Sequence, residues 1–297
     1  VGVVLAFVQL MNYLLVPVRE LPPLFANRKA AVALIDKLAD AVETNAGRPG
    51  KPVDNILDDC IAVNHVDFGY EPGELVLKDI NVAFETGKSY AIVGGSGSGK
   101  TTLLNLLMGS YDTYKGSITF DGDELCDISS DSLYDMLSIV QQNVFVFDSS
   151  ILDNITLFKQ FDEKAVQNAV ERAGLTELLS ERGRNYRCGE NGAGLSGGER
   201  QRVSIARCLL RNTPVLLVDE ATAALDTATA HAITNSVLDI KGLTRIIVTH
   251  KLEESILKKY DEIIVLRNGT ISERGPFDAL MNKKEYFYSL YMVSKAE

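Results

Sequence analysis

Residues 90–104, YAIVGGSGSGKTTLL, pass from a short apolar run through a glycine- and serine-rich loop into a second apolar run, and no other stretch constrains the fold as much. Gly94 opens the loop, Gly95, Ser96, Gly97 and Ser98 fill it, and Gly99 closes it before Lys100, Thr101 and Thr102. This is the spacing G-x-x-x-x-G-K-[ST], in which residues without a Cβ let successive backbone N–H groups converge on phosphate oxygens. Lys100 adds a point charge toward the β- and γ-phosphates, and the Thr101 hydroxyl is placed to ligate Mg²⁺. A helix beginning here directs its positive end at the anion. The alternative is a Gly/Ser-rich turn that meets the pattern by accident. The flanks oppose it, because a buried-type strand precedes the loop and a helix-compatible run follows, as the chemistry requires.

Composition narrows the partners. The formal charge of −10 comes from 40 acidic against 30 basic residues, and it argues against a nucleic-acid partner, which calls for a basic excess or stripe. Cys60, Cys126, Cys188 and Cys208 form no C-x-x-C pair and have no histidine at ligand spacing. Neither a zinc site nor a disulfide framework is indicated, and reduced thiols in a cytoplasmic compartment are expected.

The first 16 residues are almost wholly apolar, interrupted by Gln9 and Asn12 and followed by Pro17 and the pair Arg19-Glu20. As a helix they span about 24 Å, short of the roughly 20 residues needed to cross a bilayer. A signal peptide, a buried core helix and the tail of a transmembrane helix compete for this run. The signal peptide lacks a basic start and a small-residue cleavage site. The transmembrane tail is favoured, with Arg19, Arg28 and Lys29 as its cytoplasmic flank. Pro22-Pro23 then predicts a break before an amphipathic helix over 24–42, with Ala30, Leu34, Leu38 and Val42 at helical spacing. The expected division is a membrane-helix end and its extension over 1–43, a Gly/Pro-rich linker over 44–59, and one domain over 60–297.

Within that domain, β-branched and aromatic runs predict strands over 60–68, 76–84, 89–93 and 117–120, and a further one over 138–141. A helical pattern over 162–179 belongs to a block, about 143–212, that looks inserted. Beyond it, helices over 199–210 and 228–238 alternate with buried strands over 215–218 and 245–248, which implies a parallel sheet. A hairpin about Asn268-Gly269 and helices rich in Tyr and Phe complete the chain.

Two more constellations carry chemistry. Residues 215–220, VLLVDE, are four apolar positions ending in two carboxylates. The carboxyl end of a parallel strand opens into the ligand crevice, so Asp219 suits Mg²⁺ coordination and Glu220 suits a general base toward water. A strand ending in a solvated acidic turn is the plainer reading of that run alone. Leu195, Ser196, Gly197, Gly198 and Glu199 form the other, with Ser196 as an N-cap and two glycines leaving the next helix start bare for an anion. One nucleotide does not need two such termini from one chain. The economical arrangement is a dimer in which each nucleotide lies between the loop of one chain and this segment of the other.

These residues resemble the nucleotide-binding domain of ATP-binding cassette (ABC) transporters. Residues 94–101 are similar to the Walker A motif, 195–199 to the LSGGE-type signature, 215–220 to Walker B with its catalytic glutamate, and 223–226, ending in Asp226, to the D-loop. The resemblance places Tyr70 where an aromatic stacks on adenine, Gln142 at the Q-loop glutamine that joins Thr101 and Asp219 around Mg²⁺, and His250 at the switch histidine beside the γ-phosphate. It implies an α/β P-loop NTPase core with a mixed, mainly parallel sheet, an antiparallel β-subdomain and an inserted α-helical signature subdomain. It also implies ATP and Mg²⁺ as ligands, and Glu220, His250 and Gln142 as the catalytic set.

Residues 145–155 resemble the segment that exporter cassettes set against the coupling helices of the membrane domain, and 189–192, around Glu190, resemble the exporter X-loop. The implied partners are a second nucleotide-binding domain, identical or not, and a transmembrane domain on the same or a partner chain. The implied location is the cytoplasmic face of the membrane. The alternative within the same fold is a soluble cassette ATPase of DNA repair or of ribosomes. The first of these would carry a long coiled-coil insertion between loop and signature, and the second paired cassettes with basic linkers.

Overall fold

The computed structural model describes residues 2–44, 47–141, 143–220 and 227–296. The chain divides into two compact units, 1–48 and 49–297. The first unit holds one helix, α1 (Gly2–Thr44). Its backbone stays helical through Pro17, Pro22 and Pro23, where the sequence predicts a break. An interior proline removes one backbone donor and crowds the carbonyl one turn back, at a cost of about 3 kcal/mol, and the helix here continues in spite of it. Among the described residues no helix is long and apolar enough to cross a membrane.

The second unit opens with β1 (Cys60–Phe68) and β2 (Leu77–Glu85). Next come β3 (Ser89–Gly94), α2 (Lys100–Leu107), β4 (Lys115–Phe120) and β5 (Asp123–Glu124). Strands β2, β1, β4 and β5 form an antiparallel sheet in that order. Helix α3 (Ser130–Met136) leads into β6 (Leu137–Val140).

A helical block follows: α4 (Ile151–Thr156), α5 (Glu163–Arg172), α6 (Thr176–Arg182) and α7 (Gly197–Arg211). The single helical pattern expected over 162–179 is two helices, because Gly174 adopts φ 67° and turns the chain between them. The chain then alternates β7 (Val215–Asp219), α8 (Thr227–Leu238), β8 (Thr244–Val248) and α9 (Glu254–Leu257). It ends with the hairpin β9 (Glu262–Arg267) and β10 (Thr270–Gly275), then α10 (Phe277–Lys283) and α11 (Tyr286–Ala296).

The second sheet runs β10-β9-β3-β8-β7-β6, parallel throughout except for β10. Its parallel strands are buried on both faces along most of their length, which is why they read as continuous apolar runs in the sequence. Alternate residues feed two separate cores. Tyr90, Ile92, Leu217, Ile246 and Ile264 pack with α2 and the antiparallel sheet. Ala91, Val93, Leu216, Val218, Ile247 and Ile263 pack with the helices of the other face. Full burial of each large aliphatic side chain contributes about 1.5–3 kcal/mol, so the strand register is firmly set. That register, with Ala91 beside Ile247 and Asp219 beside Val248, brings the carboxyl ends of β3, β7 and β8 to one edge.

Candidate functional site

The loop from Gly94 to Gly99 sits at this edge, and two of its glycines are fixed by crowding. A Cβ on Gly94 would collide with the Leu266 carbonyl, and one on Gly99 would lie 2.6 Å from Leu77 Cδ2. Gly99 also takes φ 101° as the N-cap of α2 and offers no side chain to the helix start. The first N–H groups of α2 are therefore left for a ligand. The buried hydroxyl of Ser98 has no partner among the described residues.

Lys100 is 5% exposed, and its ammonium donates to the carbonyls of Gly94 (3.0 Å) and Gly95 (2.9 Å). Burial pushes its pKa down, against the opposing pull of Glu220 and Asp219. The Thr101 hydroxyl donates to Asp219 Oδ1 at 3.2 Å. Burial raises the Asp219 pKa, and the hydrogen bond from Thr101 counters it. Two hard oxygen donors side by side, one of them a half-buried carboxylate short of positive charge, fit a small divalent cation.

Glu220 and His250 meet at 2.8 Å between Oε1 and Nε2. Glu220 follows β7 directly and adopts φ 51°, a costly conformation for a residue with a Cβ, while its N–H donates to the Val248 carbonyl. The left-handed turn aims its carboxylate back over the edge of the sheet, beside the segment that leaves β8.

Tyr70 stands at the rim, 54% exposed, its hydroxyl sharing a hydrogen bond with Thr102 Oγ1 at 3.0 Å. Phe68 and Tyr111 meet its ring edge-on at 5.2 and 5.6 Å, which leaves an aromatic face open for stacking. Tyr111 has no sequence signal of its own beyond being an aromatic shortly after the loop helix.

Ser196 caps α7, as the sequence predicts, and the cap is reciprocal: Ser196 Oγ accepts from the Glu199 N–H at 3.2 Å, and Glu199 Oε2 accepts from the Ser196 N–H at 2.7 Å, bonds that do not involve the amides of Gly197 and Gly198. Glu199 also pairs with Arg182 at 3.5 Å. The S-x-x-E spacing is the sequence sign of this reciprocal cap. Leu195 is buried in the core.

Farther along α7, the Arg207 guanidinium donates to the carbonyls of Phe145 and Asn154 at 2.6 Å and to Asn154 Oδ1 at 2.8 Å. It thereby ties the signature helix to an exposed aromatic group, Phe145, Phe147 and Phe158, whose rings contact at 4.9 and 5.5 Å. Gln142 and Asp226 lie outside the described residues.

A glycine loop, a buried lysine, a Thr–Asp oxygen pair and a Glu–His pair at one edge of a parallel sheet define a P-loop nucleotide site, with a helical block inserted between loop and carboxylates. Residues 77–223 match the ABC transporter family, and the chain belongs to it as an ATP-binding domain of the exporter kind. The ATP-dependent lipid A-core flippase of Legionella pneumophila is 35% identical over 300 residues, covering 99% of this chain and 50% of that protein. A probable multidrug resistance ABC transporter ATP-binding/permease protein of Bacillus subtilis, YheH, is 33% identical over 303 residues, covering 100% and 45%. A bacterial Atm1-family ABC exporter with ATP bound superimposes with a TM-score of 0.77 at 32% identity, over 84% of this chain and 44% of that one. The chain spans about half the length of the curated relatives it matches. These relatives favour the exporter reading over a soluble cassette.

Proposed function

We propose that this chain is the ATP-hydrolysing motor of a membrane exporter. The observation that carries the reading is the meeting of Lys100, Thr101, Asp219, Glu220 and His250 at one sheet edge, in a family defined by ATP-driven transport. The loop amides and Lys100 hold the β- and γ-phosphates, and Tyr70 stacks on adenine. Thr101 and Asp219, with Gln142, hold Mg²⁺, which when bound neutralises charge developing on the phosphates. Glu220 takes the proton from the attacking water, and His250 holds Glu220 in place and reaches the γ-phosphate.

The capped start of α7 presents Ser196 and Gly198 to the nucleotide of a second copy or of a related domain, and Asp226 serves the same interface. Head-to-tail closure of the pair drives a transmembrane domain through the Phe145–Phe158 face, and hydrolysis reopens it. The chain works at the cytoplasmic face of the membrane. The decisive test is Glu220→Gln with Mg-ATP: nucleotide binds, turnover is lost, and an ATP-dependent dimer elutes on sizing. A Glu220→Gln protein that stays monomeric at high concentration with saturating Mg-ATP overturns the clamp.

A further inference from the structure

The loop that grips phosphate is short of internal support. A Cβ on Gly97 would have no heavy atom within 4 Å, so the tip lies open. Gly95 is different. Apart from its own chain neighbours, the one heavy atom within 4 Å of a Cβ built there is the Tyr286 hydroxyl, at 3.5 Å. Tyr286 is the first residue of α11, nearly two hundred positions downstream of the loop in sequence.

Three contacts fix the ring and the helix that carries it. The Arg267 guanidinium lies over the Tyr286 ring at 4.6 Å from its centroid. Arg267 ends β9, immediately after Leu266, whose main chain pairs with Gly94 at the mouth of the loop. The buried Glu273 of β10 accepts from the Phe287 N–H at 2.8 Å through Oε1, which anchors the first turn of α11. Farther along α11, the Tyr291 hydroxyl donates to Glu254 Oε2 at 3.1 Å, at the head of α9 and four residues past His250. Phe287 is fully buried between these points and packs edge-on against Phe277.

We propose that Tyr286 is a positioning residue for the phosphate-binding loop, its hydroxyl kept, by the Arg267 stack above its ring and by the Glu273 carboxylate at the start of its helix, on the side of Gly95 where a side chain would stand. Tyrosine suits the task because two side-chain torsions set the whole ring, so little entropy is lost in holding it. The Gly95–Gly97 turn, which has no side chain of its own at either glycine, gains a wall on the side facing α11. The C-terminal helix is thereby part of the nucleotide site although none of its residues belongs to a nucleotide motif. This inference rests on the nucleotide reading above.

The test compares Tyr286→Phe, Tyr286→Ala, Arg267→Ala and Met292→Ala in the full chain, with Lys100→Ala as reference. Met292 is an exposed residue of the same helix. The readouts are Mg-ATP hydrolysis, titration with trinitrophenyl-ATP and the melting temperature. Tyr286→Ala is expected to raise KM for ATP about five- to tenfold with kcat within about twofold, the split that loss of ground-state positioning produces. Tyr286→Phe and Arg267→Ala each raise KM about two- to fivefold, the scale of one exposed contact. Met292→Ala leaves KM at the wild-type value.

A folded Tyr286→Ala protein with wild-type KM overturns the proposal, and so does a rise in KM that Met292→Ala shares. Should Tyr286→Ala fail to fold, Tyr286→Phe and Arg267→Ala decide: wild-type KM in both is fatal. Lys100→Ala separates the two levels. If it loses nucleotide while the Tyr286 variants keep it, the brace alone falls, and if it keeps wild-type affinity the nucleotide reading falls and takes the brace with it.

Discussion

Two helices in this chain begin at a glycine-rich segment in the sequence, and their starts are built in opposite ways. Helix α2 follows Gly99, which supplies no side-chain cap, so its first amides are open to an outside anion. Helix α7 follows Ser196 and carries its own anion, the Glu199 carboxylate, bonded back to the cap and to Arg182. The first start has no side-chain cap at all, and the second has a cap that engages the amides of Ser196 and Glu199 but not those of Gly197 and Gly198. The difference teaches that glycine beside a helix start does not by itself say which amides an anion can reach. What counts is which of them a side chain within the first turn already engages.

The largest effect should fall on the carboxylate chemistry next to the open start. Glu220→Gln is expected to lower kcat about 10²- to 10⁴-fold with ATP affinity retained, measured by phosphate release and nucleotide titration. Lys100→Ala should weaken ATP binding about 10- to 100-fold, the scale of lost charge-assisted hydrogen bonds in a buried setting. Equal affinity in wild type and Lys100→Ala would erase the functional distinction between the two helix starts.

Changes at the closed start should act on stability first. Glu199→Ala removes one half of the reciprocal cap and should cost about 1 kcal/mol, read as a melting temperature lower by a few degrees, with ATP affinity of the single chain unchanged. A loss of single-chain affinity would place Ser196 and its helix in the chain's own nucleotide site. Ser196→Arg, by contrast, should block ATP-dependent dimerisation and leave single-chain binding intact, a contrast that sizing and titration together resolve.

The smallest effect concerns thiols. Cys208, inside α7, is buried, and burial pushes its pKa up to about 12. At pH 8 it should resist iodoacetamide in the native protein, while the partly exposed Cys126 reacts. Labelling of Cys208 without denaturant would show the helical block opening.

Much of the site is legible in the sequence because its parts are local. The strand, loop and helix around Lys100 are one continuous pattern, and the apolar run before Asp219 announces a strand buried on both sides. Glu199 was legible too, through the S-x-x-E spacing. The continuity of α1 through three prolines was not legible, since proline lowers helix stability without forbidding the conformation. Tyr111 against Tyr70, Arg207 on Phe145 and Asn154, and Arg267 on Tyr286 lie beyond sequence reading for another reason. Each joins elements far apart along the chain, and only the closed fold brings them within reach.

The hold of Gly94 and Gly95 on the Lys100 ammonium has one more consequence. A lysine ammonium has three donors, and two are engaged by the loop's own carbonyls. The loop thus holds the ammonium in place and leaves its third donor for an incoming anion. A single charged group meets that donor alone, whereas a chain of linked phosphates meets the ammonium and the open amides of α2 at once. Preference for polyphosphate over the simple inorganic anions that always outnumber it should follow from that spacing of donors, set before the ligand arrives.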